Sequence, residues 1–198
     1  MSTLALNIRM HGKLTVVIGG GAVALRKLRT LLAAGASVRV VAMYTCPEIA
    51  ELVDSGALAV RAGSYVMSDL DDAFLAIAAT DNAQVNEQVA ADARERRILV
   101  VVADNPAAGD CTFPANLQRG DLEIAVSTGG CCPTFAVDVR DRIAEHIGHE
   151  YGAILEQLAG EREKLLTNRC SSTYNTRALR SLARRLLAEL TEREESLP

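Results

Sequence analysis

The stretch LTVVIGGGAVALRKLRTLLAAGASVRVVA, residues 14–42, constrains this chain more than any other. An apolar run of strand length enters three glycines, an Ala/Leu-rich helical pattern follows, and a second apolar run closes the stretch. Gly19, Gly21 and Ala24 satisfy G-x-G-x-x-A. The first glycine permits a sharp strand-to-helix turn, the second lets a pyrophosphate approach the backbone, and the small third residue lets helix and strand pack closely. The N–H groups opening the helix, from Ala22 and Val23 onward, then face the phosphates. Alone the motif is weak; between a strand and a helix in a βαβ unit it is much stronger. The bland reading is a tight turn with no ligand.

The rest of the first hundred residues repeats that rhythm. Strands are expected at Leu14–Ile18, Ser37–Ala42, Leu58–Arg61, Ala73–Thr80 and Ile98–Ala103. Helices are expected at Ala22–Ala34, ended by Gly35, at Pro47–Ser55, closed by Gly56, and at Gln84–Arg96. Continuous apolar strands separated by helices predict a parallel sheet covered on both faces. The expected fold class is α/β, a Rossmann-type doubly wound sheet. The pattern changes after a Pro/Gly/Asp loop at Asn105–Asp110. A strand in DLEIAVST, a glycine turn and a helix from Pro133 to about Ile147 come next. From Glu150 the chain reads as charged helix, with Leu179, Leu182, Leu186 and Leu190 on one face and a polar loop at Thr167–Asn175. The division expected is 1–112 for the dinucleotide-binding domain, 113–148 for a strand–helix segment and 149–198 for a helical domain.

Composition removes several function classes. A formal net charge of −4 over 198 residues argues against a general polyanion binder, so no nucleic-acid partner is expected. No run approaches the ~20 apolar residues that span a bilayer, and the N-terminus lacks a basic region followed by a long apolar one. Five cysteines (Cys46, Cys111, Cys131, Cys132 and Cys170), with no C-x-x-C spacing, read as reduced thiols in a cytoplasmic protein. No metal site is assigned: Cys131 and Cys132 diverge as neighbours. His146 and His149 have a spacing that could hold a metal, but they read as solvent-facing residues at a helix end.

The acid that commonly bonds the adenosine ribose at the end of the second strand is missing. Ala42, Met43 and Tyr44 stand there, and Glu48 comes too late. Backbone groups of Met43 and Tyr44, or the Tyr44 hydroxyl, would have to serve instead. Arg39 lies mid-strand, so a 2′-phosphate pocket is not evident, and NAD and NADP stay undivided on this stretch alone.

Four stretches occur together and in order: GGGAVALRKLRTLLAAGASVRVVA, AFLAIAATDNAQVNEQVAADA, VVADNPAAGDCTFPA and RGDLEIAVSTGG followed by CCP. Over residues 4 to 150 the chain resembles the precorrin-2 dehydrogenase / sirohydrochlorin ferrochelatase family, the dehydrogenase–chelatase module of siroheme synthase. The resemblance implies oxidation of precorrin-2 to sirohydrochlorin, a tetrapyrrole, with NAD as hydride acceptor. Some members also insert ferrous ion, which would then be a second substrate. Asp104 matches the family's catalytic aspartate. It follows the fifth strand, where ligands bind in open α/β sheets, and a carboxylate there can accept protons; the bland reading is a turn residue before Pro106. Thr80, Asp81 and Asn82, with Asn86 one helical turn on, are expected along the cofactor cleft, although Asp81 or Asn82 also reads as a helix N-cap. Ser127, Thr128 and Gly129 match a position near the tetrapyrrole, where glycines backed by a helix N-terminus suit carboxylates. Val137 and Asp138 stand where the family often has a base, leaving Arg140 as the available cation. Arg162, Lys164, Arg169, Arg177, Arg180, Arg184 and Arg185 make the tail locally basic, and read mostly as a solvated face balanced by glutamates. The family pairs as homodimers through the segment matching Phe113–Ile147. The reading from another class is a non-catalytic NAD(H)-sensing module, which would bind the cofactor and yield no NADH.

Overall fold

The computed structural model describes residues 3–167 and 172–195. The chain divides into two compact units, Met1–Phe113 and Pro114–Pro198. The first unit holds five strands, β1 (Leu14–Ile18), β2 (Ser37–Ala42), β3 (Ala59–Ala62), β4 (Leu75–Ala78) and β5 (Leu99–Val102). Between them lie α1 (Ala22–Ala33), α2 (Pro47–Asp54) and α3 (Ala83–Glu95). All four strand pairings are parallel, in the order β3-β2-β1-β4-β5. The sheet grows outward from β1 in both directions, so the switch point lies between β1 and β4, where open α/β sheets bind ligands. This is the doubly wound sheet that the apolar runs predicted.

The alternation of side chains along each strand builds two cores. Val17, Val40 and Ile77 face Leu25, Leu28 and Leu31 of α1 and Ile49 of α2. Val16, Ile18, Val41, Ala78 and Val102 face Val89, Ala90 and Ala93 of α3. Both faces are covered, which explains why these strands read as uninterrupted apolar runs. Each fully buried Leu or Ile stabilises the unit by about 1.5 to 3 kcal/mol.

Helix ends follow their sequence signals. Gly35, at φ +72°, ends α1, with Ala36 N–H donating to the Leu31 carbonyl across it. Asn82 caps α3, its Oδ1 accepting from Gln84 and Val85 N–H. The third to fifth strands differ from the expected spans by one or two residues at an end, as short strands do where loops inherit their apolar flanks.

The second unit opens with a hairpin, β6 (Ala115–Arg119) and β7 (Leu122–Val126). The two-residue Gly120–Asp121 turn closes it, with Gly120 at φ +57°. Strand β6 was not anticipated: ANLQR carries too few β-branched residues to announce itself, although the Gly-Asp turn is a hairpin signal. Helix α4 (Pro133–His146) packs on the hairpin, and α5 (Glu150–Thr167) and α6 (Ser172–Glu195) pack on each other. The loop expected at Thr167–Asn175 is corrected at both ends: Thr167 closes α5 and Ser172–Asn175 belong to α6. Polar residues at a helix start resemble a loop in sequence. Arg169 and Cys170 lie outside the described residues. Lys164 pairs with Glu161 and Arg185 with Glu189. Among the described residues no helix is long and apolar enough to cross a membrane.

Candidate dinucleotide site

The glycine loop joins β1 to α1 at the switch point, and its three glycines answer three different constraints. Gly19 has φ +121°, and an added Cβ would overlap the Ala79 carbonyl, lying 2.7 Å from its carbon. The loops after β1 and β4 therefore touch through backbone alone. A Cβ on Gly20 would lie 3.0 Å from the Tyr44 carbonyl carbon, so the loops after β1 and β2 also meet. Cys46 N–H donates to the Gly20 carbonyl at 2.8 Å and stitches them together. Gly20 occupies an unrestricted position of the motif, and sequence reasoning passed over it.

Gly21 is different. Its φ is −91°, and an added Cβ would meet nothing within 4 Å. Among the described residues nothing demands glycine there, and the open space lies where a pyrophosphate would approach. Gly21 is also the N-cap of α1, and no side chain caps that helix. The first N–H groups, Ala22 and Val23 among them, are thus left for an anion, and the positive helix end favours one. Val23 is exposed, whereas Ala24 is fully buried, as close packing of helix on strand requires. The residues present fit a dinucleotide.

At the end of β2, Met43 and Tyr44 are 65% and 87% exposed and bring no carboxylate. Glu48 lies in the first turn of α2. Its own backbone N–H, then the Cys46 side chain, holds its carboxyl below the ordinary range. It therefore serves the start of α2, away from the strand end.

The loop after β4 is built around Asn86. That residue is 1% exposed. Its Oδ1 accepts from Thr80 N–H at 3.1 Å and from the Thr80 hydroxyl at 2.7 Å, and its Nδ2 donates to the Thr80 carbonyl at 3.1 Å. The Thr80 hydroxyl also accepts from Asn82 N–H. Thr80 is thus committed to the loop, Asn82 to capping α3, and Asp81 is exposed. The carboxamide of Asn86 organises all of this; its spacing was visible in AATDNAQVN, its task was not.

Asp104 follows β5 by two residues, is exposed, and its carboxylate makes no hydrogen bond among the described residues. Elsewhere in the same unit, Lys27 of α1 lies 4.2 Å over the Phe113 ring. Burial, followed by Arg26, lowers its pKa to about 8.

The second unit carries the STGG turn. Gly129 N–H donates to the Ser127 hydroxyl and Cys132 N–H to the Thr128 hydroxyl, each at 3.2 Å. Gly129 and Gly130 have φ +62° and +86°, with open space above each. The Thr128 hydroxyl thereby serves the entry to α4. Cys132 lies at that entry, and its thiol is held below the ordinary range by the Thr134 hydroxyl and then the Phe135 backbone. Arg140 is not the available cation expected from the sequence: its guanidinium pairs with Asp141 next to it. Among the described residues no group of three or more His, Cys, Asp or Glu could hold a metal ion.

Comparison with known proteins places this geometry. Residues 6–115 match a family described as NAD(P)-binding, and residues 119–146 match the central region of sirohaem biosynthesis proteins. The chain belongs to the family of the siroheme synthase N-terminal module. Siroheme synthase of Chromobacterium violaceum is 43% identical over 154 residues, covering 78% of this chain and 33% of that protein. The Pseudomonas entomophila siroheme synthase is 40% identical, covering 83% and 36%. The chain thus spans about a third of the length of the curated relatives it matches. Among solved structures, SirC, a precorrin-2 dehydrogenase, superposes with a TM-score of 0.78 at 24% identity, covering 96% of this chain and 100% of that one. At that identity the superposition speaks for the fold, and the NAD(P)-binding family match agrees with the glycine loop.

Proposed function

We propose that this chain is an NAD-dependent precorrin-2 dehydrogenase that yields sirohydrochlorin in siroheme biosynthesis. The observation that carries the proposal is the glycine loop with its open Gly21 and uncapped α1, within a sequence related to siroheme synthase. In this reading Gly19, Gly21, Ala22, Val23 and Ala24 form the pyrophosphate cradle. Met43 and Tyr44 border the adenosine, and Thr80, Asp81 and Asn82 border the nicotinamide half. Bound NAD supplies the hydride acceptor.

Removing two hydrogens from the macrocycle also releases a proton. Asp104 accepts it: the carboxylate is exposed and makes no hydrogen bond among the described residues, beyond the C-terminal end of β5. The open space above Gly129 in the Ser127–Thr128–Gly129 turn leaves room for a substrate carboxylate to approach the backbone. Metallation also frees pyrrole protons, so the same carboxylate would serve insertion of ferrous ion as a second reaction. We assign the homodimer to α4, which leaves Phe135 58% and Val137 39% exposed beside Val139 and Ile143. The whole fits a cytoplasmic enzyme with reduced thiols.

Anaerobic turnover of precorrin-2 with NAD, with and without ferrous ion, tests the proposal. NADH and a sirohydrochlorin spectrum are expected. Asp104→Ala should lower turnover by about a hundredfold or more. Full activity of that variant in both reactions would remove Asp104 from the mechanism. Cofactor binding with no NADH formed would make the chain a sensor.

A further inference from the structure

The ribose edge of the site lacks its acid, yet it has two arginines behind it. Arg39 on β2 and Arg61 on β3 project from one face of the sheet: Arg61 is paired in register with Val41, two residues beyond Arg39. Arg61 lies close to the end of β2. Gly63 N–H donates to the Ala42 carbonyl at 3.0 Å, Arg61 Nη2 donates to the Ser64 carbonyl at 2.7 Å, and the Ser64 hydroxyl lies 3.7 Å from the Met43 sulfur. One residue therefore separates its guanidinium from Met43. An arginine at this corner is the usual receptor for a 2′-phosphate.

That arginine is already taken. The Asp69 carboxylate accepts from both Nε and Nη2 of Arg61, a two-pronged ion pair. Asp69 is 5% exposed while the Arg61 side chain is 40% exposed, so the carboxylate anchors the pair and the guanidinium is the part within reach of solvent. Val66 N–H donates to the same carboxylate at 2.9 Å and fixes its orientation. Arg39 Nη1 donates to the Asp69 main-chain carbonyl at 3.3 Å, so one residue engages both arginines. Asp92, on the neighbouring helix α3, is occupied by Tyr65 and Gln88.

From this juxtaposition we infer that Asp69 is a specificity-determining residue. By holding Arg61 in a closed ion pair beside the β2 end, it keeps the ribose edge from recruiting a 2′-phosphate and so sets a preference for NAD over NADP. The device differs from the usual one. Discrimination comes from sequestering a cation, where a Rossmann site ordinarily uses an acid on the ribose itself. The inference rests on the cofactor reading above.

Calorimetric titration of the full chain with NAD⁺ and with NADP⁺ provides the test. The unmodified chain should bind NAD⁺ more tightly. Asp69→Asn keeps the shape of the side chain and removes its charge. It should tighten NADP⁺ by about tenfold or more, the worth of a hydrogen bond to a charged group. NAD⁺ should stay within about threefold. The double variant Arg61→Gln with Asp69→Asn should lose the gain. A folded Asp69→Asn protein with unchanged NADP⁺ affinity overturns the inference, as does a gain that survives in the double variant. If Asp69→Asn and Asp69→Ser both fail to fold while the double variant folds with unaltered preference, the pair serves folding alone and the inference falls. An unmodified chain that prefers NADP⁺ defeats the inference and spares the dinucleotide site. One that binds neither defeats the site itself.

Discussion

The two units of this chain solve the same problem to different degrees. In the first, parallel strands bring their own helices, and two apolar layers close completely around residues such as Val16, Val17, Leu28 and Ile77. In the second, Leu117 and Ala136 are the buried hydrophobic residues among those described. Its hairpin shows alternating half-buried side chains, and α4 leaves Phe135 outside. A sheet wound on both sides is finished by its own sequence. A hairpin with one helix against it has apolar surface left over, and such surface suits a second copy of the chain. The first unit should therefore tolerate little change at its loops, while the second should respond to protein concentration.

The sharpest way to break this contrast is at the glycine loop. Gly19→Ala places a methyl group against the Ala79 carbonyl in a left-handed conformation. It should cost about 3 to 5 kcal/mol and abolish dinucleotide binding. A thermal melt within a degree or two of the unmodified protein would show that the loop yields more than a finished core allows. Asn86→Leu comes next. It leaves the Thr80 N–H and carbonyl without their partner, and should cost about 2 to 3 kcal/mol in urea unfolding. It should also raise the KM for NAD more than it lowers kcat; equal stability would show that the loop finds other partners.

On the other side of the comparison, Phe135→Glu with Ile143→Glu on α4 should halve the mass measured by light scattering. NAD⁺ affinity should stay within about threefold. An unaltered mass would move the interface elsewhere. The smallest effect concerns Lys27. Its folded pKa, about 8, lies below its ordinary 10.5. Between those values the unfolded chain holds a proton that the folded chain lacks, so stability rises with pH across that window. Lys27→Met should flatten that rise in unfolding curves recorded at about pH 7 and pH 9.5. Parallel curves for the two proteins would mean that the burial of the amine has no weight.

Legibility in the sequence followed the same division. Strands β1 and β2 were readable to the residue because both faces are largely buried, so most positions are apolar or small, with Arg39 the exception. The positions of Gly19, Gly21 and Ala24 were readable because a phosphate turn restricts backbone and side chain together. Gly20 was not, and for Asn86 the position was readable but the task was not, since their reasons are contacts with Tyr44 and Thr80, made only once the loops meet. The Arg61–Asp69 pair was equally silent: the two lie eight residues apart, and nothing in the sequence between them signals that they meet. Arg140 was misread for a related cause. A sequence shows that a cation exists, and only the folded chain shows that its neighbour Asp141 has claimed it.

Phe113 is the last residue of the first unit, and Lys27 rests on its ring. Anyone excising the nucleotide-binding half for separate study should leave that phenyl group attached. A chain trimmed two residues earlier would strip the cover from the first helix, and its lower melting point would be mistaken for an intrinsic weakness of the fold.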